Sequence, residues 1–203
     1  MFDLVRYLTT REPLPPARVT GYDYVLAGNG VFKRALSRHV EVMMRVAAAR
    51  IAGLPDAAPY VRLACGKLPG AMLHTLLVDA RRRAWDQPRE AMYLVYADGP
   101  RVRLVYPRQR ATGARIEYED AGDPAIIAEI HSHCELDAFW SSTDNADELG
   151  FRFFGVFGHI FTNPIIRLRL GCHGDHWPLP ITALFAHSGP FGLNGHGRGY
   201  GQP

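Results

Sequence analysis

Lysine is almost missing from this chain: Lys33 and Lys67 are the only two among 23 basic residues, so arginine carries the cationic charge. Against 20 acidic residues this leaves a net charge of only +3, and the densest basic run is Arg81-Arg82-Arg83. A nucleic-acid partner therefore has little electrostatic support. Cysteine is scarce as well. Cys65, Cys134 and Cys172 are odd in number and keep no framework spacing, which argues against a disulfide scaffold and for a reducing compartment. No run approaches the roughly 18 to 20 uncharged apolar residues of a bilayer span. Asp3, Arg6 and Arg11 interrupt the stretch where a signal peptide would need an unbroken apolar run. The expectation is a cytoplasmic protein with no membrane association. No internal repeat is present, and no Cys-x-x-Cys pair.

What is present is the composition of a folded protein, 47% hydrophobic and 21% charged, with a mean hydropathy of −0.11. Tyr22–Leu26 and Val31–Leu36 flank Gly28-Asn29-Gly30, a hairpin signal, and Val40, Val42, Met44 and Val46 alternate as a third strand. Ala47-Ala48-Ala49 would suit a helix equally well. Gly53, Pro55 and Pro59 mark a linker, so residues 1–65 are expected to form a small N-terminal α+β unit. Residues 66–186 follow as a second domain. There Met72, Leu73, Leu76, Leu77, Ala80 and Ala84 predict an amphipathic helix ending near Trp85. Ala91–Tyr96, Arg101–Tyr106, Ala125–Ile130, Phe151–Phe157 and Pro164–Leu170 read as strands. Residues 187–203, rich in Gly and His, read as a flexible tail.

The chemistry concentrates where the strand 125–130 runs into His131-Ser132-His133. Residues i and i+2 of a strand share a face, so both imidazoles are presented to one point. Ser141-Ser142-Thr143 predicts a helix start with a Ser or Thr as N-cap and Asp144 in the first turn, where a carboxylate is favoured and can aim back at the strand end. Two His and one Asp leave a fourth tetrahedral position open, the catalytic arrangement for zinc. Such a centre also needs a base. Glu90, at the start of the buried strand, is the preferred candidate. Glu129 shares the face of the two histidines and competes with it. With nine His, five Ser and twelve Asp in the chain, the spacing His-x-His, seven residues, Ser, two residues, Asp arises by accident in about one such sequence in two thousand.

This pattern, preceded by a Glu at the start of a strand that follows an amphipathic helix, resembles the JAMM or MPN-plus metalloproteases over about residues 68 to 180. The resemblance implies a three-layer, deaminase-like α/β (α+β) domain with a mixed sheet flanked by helices. It also implies a zinc isopeptidase acting at the C-terminal glycine of a ubiquitin-like protein, with His131, His133 and Asp144 binding Zn2+, Glu90 as general acid/base and Ser141 stabilising the oxyanion. The whole chain, N-terminal unit included, is similar to the A proteins of the bacterial PRTRC cassette. That cassette also encodes ubiquitin-like and E1-like (ThiF-type) proteins, which would be partners. Two positions depart from the family pattern. Cys134 stands where Pro usually follows the second His, and no Gly follows Glu90 within Ala91–Leu94. Neither is a ligand position. The rival readings are a non-catalytic module that binds a ubiquitin-like or E1-like partner, and a zinc hydrolase of a small amide. Cys172-His173-Gly174-Asp175-His176 reads as a solvated turn ended by Pro178.

Overall fold

The computed structural model describes residues 4–111, 116–118, 122–148 and 150–191. The chain divides into two units, Met1–Gly66 and Lys67–Pro203.

In the first unit β1 (Val5–Thr9), β2 (Tyr22–Ala27), β3 (Gly30–Leu36), β4 (Val40–Ala48) and β5 (Tyr60–Leu63) form one sheet in chain order. β1 runs parallel to β2, and every other neighbour is antiparallel. The β2–β3 hairpin closes on Ala27 and Gly30, with Asn29 anchored on the amide and carbonyl of Ala57 at 3.0 and 2.8 Å. Val25, Ala27, Phe32 and Met43 form its core. The expected α+β character is corrected here, because among the described residues of this unit there is no helix. Ala47 and Ala48 extend β4 instead, pairing with Val31 and Gly30. Cross-strand backbone pairing overrides the helix propensity of alanine. Asp23, 1% exposed, is held by Arg6 and Arg34.

The second unit is α+β. A six-stranded mixed sheet has the order β13-β12-β11-β10-β6-β7. Its strands are β6 (Met92–Asp98), β7 (Arg101–Val105), β10 (Ile126–Ser132), β11 (Arg152–Gly158), β12 (Ile165–Cys172) and β13 (Asp175–Leu179). β8 (Gln109–Ala111) and β9 (Ile116–Tyr118), a hairpin inside a stretch whose polarity hid it, pair only with each other. Helix α1 (Ala71–Arg83) buries Leu73, Leu76, Leu77 and Ala80 and ends on Arg81, Arg82 and Arg83, whose charge suits the carbonyl end of a helix. It packs on the sheet face that carries Tyr93, whose hydroxyl donates to Asp79 at 3.1 Å. The opposite face packs Met92, Leu94 and Ile126 under Ile116 and Tyr118 of the β8–β9 hairpin.

Two features of β10 position the site. It runs parallel to β11, so the chain must cross from the end of one strand to the beginning of the other, and that crossover holds α2 (Ser142–Asp147). A bulge between Ile126 and Ala128 shifts its register against β6. Ile126 therefore packs with Met92 and Leu94 while Glu129 and His131 still reach that same face.

β12 and β13 are joined by a tight turn with His173 at φ 49° and Gly174 at φ 86°. Pro178 does not end this turn; it lies inside β13, where an edge strand tolerates the missing N–H. Residues 192–203, most of the expected tail, lie outside the described residues. Phe191 just before them is buried, edge-on to Phe157. Among the described residues no helix is long and apolar enough to cross a membrane.

Candidate metal centre

The pleat of β10 places His131 on the face away from α1, opposite Met92 of β6 and Val156 of β11. His133 lies one residue past the strand, tied by its N–H to the Phe157 carbonyl at 2.7 Å. The two Nε2 atoms converge to 3.1 Å. His133 Nδ1–H donates to the Asp137 carbonyl at 3.1 Å, which leaves a bare lone pair on its Nε2. Phe139 packs against this ring at 4.7 Å. The loop that supplies the Asp137 carbonyl passes so close to Gly158 that a Cβ there would stand 2.0 Å from the Leu136 carbonyl oxygen.

Asp144 arrives from the other side. Ser141 is the N-cap of α2, its Oγ accepting from Asp144 N–H at 3.1 Å while Ser141 N–H donates to Asp144 Oδ2 at 2.6 Å. That reciprocal cap leaves Asp144 Oδ1 facing His131 Nε2 at 3.7 Å. The three ligand atoms lie within 4.8 Å of one another, and among the described residues no other group of His, Cys, Asp or Glu converges in this way.

The donor set fits zinc. Tetrahedral bonds of about 2.0 to 2.1 Å separate neighbouring ligand atoms by roughly 3.3 Å, close to the 3.1 and 3.7 Å found here. Burial pushes the His131 imidazole down, outweighing the Asp144 carboxylate, which favours the neutral ring that can offer a lone pair.

A cavity of about 250 Å3 opens on these atoms, with Glu90, Glu129, Ser141 and Glu148 in its lining and Met92, Ile116, Tyr118, Leu136 and Phe139 as apolar walls. Burial, and then the charge of Asp144, raises the Glu90 carboxyl to about 7, the range a general base needs at neutral pH. Glu129 is committed elsewhere, to Arg152 and to the Tyr118 hydroxyl. Both glutamates line the cavity, and they differ in that Glu129 is ion-paired there. Cys134 turns its thiol away from the imidazoles. It does so through a backbone φ of +50° rather than by pleat alternation, and Sγ–H donates to the Arg89 carbonyl at 2.8 Å.

Sequence reasoning missed the support behind α2. Arg169 of β12 is 5% exposed, and its guanidinium donates to Glu148 and Asn145 at 2.6 Å each and lies over the Trp140 ring. His176 Nε2–H donates to the Glu148 carbonyl at 2.9 Å. No local pattern announces this cluster: β12 carries both Arg167 and Arg169, and nothing in the sequence tells the buried one from the other. No protein-family model matches this chain, and no curated protein matches it.

Proposed function

We propose that this protein is a zinc-dependent hydrolase of amide or isopeptide bonds, cleaving after the C-terminal glycine of a ubiquitin-like protein in a cytoplasmic, bacterial modifier system. The observation that carries this reading is the convergence of His131 Nε2, His133 Nε2 and Asp144 Oδ1 at the mouth of the cavity that Glu90 also lines. The reading includes the three-layer JAMM/MPN-plus arrangement, for which the mixed sheet, α1 and the crossover helix α2 are the supporting elements.

His131, His133 and Asp144 would hold a zinc ion, whose Lewis acidity would be available to a water and to the scissile carbonyl. Glu90 takes the proton of the attacking water and returns it to the leaving nitrogen. Ser141 keeps Asp144 oriented through the cap and has its own hydroxyl hydrogen to donate to the developing oxyanion. Leu136 and Phe139 supply apolar walls to the cavity beside the reacting groups. An E1-like protein of the same system is the further partner this reading implies.

The test is zinc content beside cleavage of a fluorogenic peptide ending in Gly-Gly-aminomethylcoumarin. Wild type should bind about one zinc and cleave, His131→Ala and Asp144→Ala should lose both properties, and Glu90→Gln should keep zinc and lose cleavage. A wild type that stays metal-free when offered zinc would sink the reading. The non-catalytic binding module would then take its place.

A further inference from the structure

Nothing in the regular structure fixes Glu90. α1 ends at Arg83, β6 begins at Met92, and the β6–β10 ladder stops at the Met92–His131 pair, two residues short of Glu90. Three hydrogen bonds hold the backbone on either side of it instead. The Arg89 carbonyl accepts from Cys134 Sγ–H at 2.8 Å, and Ala91 N–H donates to Ser132 Oγ at 3.0 Å. Ser132 N–H in turn donates to the Ala91 carbonyl at 2.9 Å. Ser132 and Cys134 are the residues that alternate with the two histidines. The thiol and the Ser132 hydroxyl also lie against each other.

We propose that Cys134 is a positioning residue for Glu90: together with Ser132 it straps residues 89–91 to the histidine segment, so that metal ligands and base are held by one local unit. This rests on the zinc hydrolase reading for its effect on catalysis, but the strap itself does not. The geometry accounts for two otherwise unexplained facts. Cys134 holds a left-handed backbone, φ +50°, that side chains other than glycine rarely adopt. In that conformation its 6%-exposed thiol reaches a carbonyl 45 residues away in sequence. A nucleophilic group is thus buried beside the site without a part in the proposed chemistry, and the hydrogen bond is its role.

The experiment uses the full zinc-loaded chain with two readouts, amide hydrogen exchange at Ala91 and Met92, and kcat and KM on the Gly-Gly-aminomethylcoumarin peptide. Cys134→Ala should speed exchange at both amides and lower kcat about tenfold or more with KM within about twofold, since small misplacement of a base is costly. Cys134→Gly, which suits the positive φ, should behave like Cys134→Ala. Cys134→Ser, which keeps a donor, should recover most of the loss.

Unchanged exchange in Cys134→Ala overturns the strap, as does a loss of zinc in that variant. If the wild type does not cleave the peptide, the fault lies with the hydrolase reading or its substrate. The exchange comparison then decides the strap alone.

Discussion

Ser141 and Asp144 cap each other: each backbone N–H donates to the other's side chain, at 2.6 Å to Asp144 Oδ2 and at 3.1 Å to Ser141 Oγ. The same two bonds that begin α2 therefore decide which carboxylate oxygen faces the histidines. Ser141→Ala removes one of them. Loss of an N-cap side chain costs about 1 kcal/mol, and loosening the partner of a metal ligand weakens metal affinity roughly 10- to 100-fold. Ser141→Thr keeps the cap and should bind zinc like the wild type. Competition with a chromophoric chelator measures both.

Arg169 should matter in the same way from a greater distance. Replacing it by Met leaves Glu148 buried without its ion-pair partner, a change that destabilises proteins by about 3 to 5 kcal/mol. Burial already pushes the Glu148 carboxyl up, and Arg169 opposes this. The double variant Arg169→Met/Glu148→Leu should recover most of the thermal stability. Zinc affinity should stay below wild type, because Asn145 has lost its partner and α2 is held less firmly. Denaturant melts beside zinc titrations separate the two effects.

Glu90 should cost the metal-free protein stability. A carboxyl raised to about 7 in the folded chain binds its proton more tightly there than in the unfolded chain, so stability falls as pH rises from the usual carboxylate range through about 7. Glu90→Gln removes that dependence. In chelator-treated protein at pH 8 the variant should be more stable than wild type by on the order of 1 kcal/mol, discounted for its partial exposure. At pH 4.5 the two should melt together. A variant less stable at both values would show that Glu90 is a structural residue.

Asp23 predicts the opposite slope in the first unit. Burial pushes its carboxyl up, but the hydrogen bonds and charges of Arg6 and Arg34 outweigh this and hold it below the usual range. A carboxyl with a depressed folded pKa contributes stability above its unfolded pKa of about 3.9 and loses it as the pH falls through the folded value. Asp23→Asn should destabilise at pH 7 by about 3 kcal/mol or more, since it leaves Arg34 buried with its charge unbalanced. The gap should narrow at pH 3. Fluorescence-detected unfolding at the two pH values checks it.

Much of the site is readable where its geometry is local. Two histidines two apart on an apolar strand, and a serine three residues before an aspartate, are short-range patterns whose outcome backbone periodicity and helix capping dictate. The six-stranded sheet was legible for the same reason in β6, β10 and β11, largely apolar runs, and in β7 and β12, where arginines alternate with apolar residues. The misses are non-local. Arg169 and Glu148 stand 21 residues apart with nothing in either neighbourhood to pair them. β8 and β9 carry too few apolar residues to register as strands. The alanines of β4 follow the hairpin beside them, and Pro178 is admissible only because β13 turns out to be an edge.

The bulge at Ile126–Ala128 has a genetic consequence. Upstream of it Ile126 faces the cavity side as an even-numbered position; downstream the odd-numbered Glu129 and His131 do. A single codon lost at Ile127 would flatten the strand while leaving every later side chain on its own face. A codon lost at Glu129 or Ile130 would flatten the strand equally, but it would put Ala128 on the cavity face and either lose Glu129 or turn it towards α1. Within this stretch of five residues the reading of insertions and deletions by selection should therefore be uneven, with Ile127 the tolerant position.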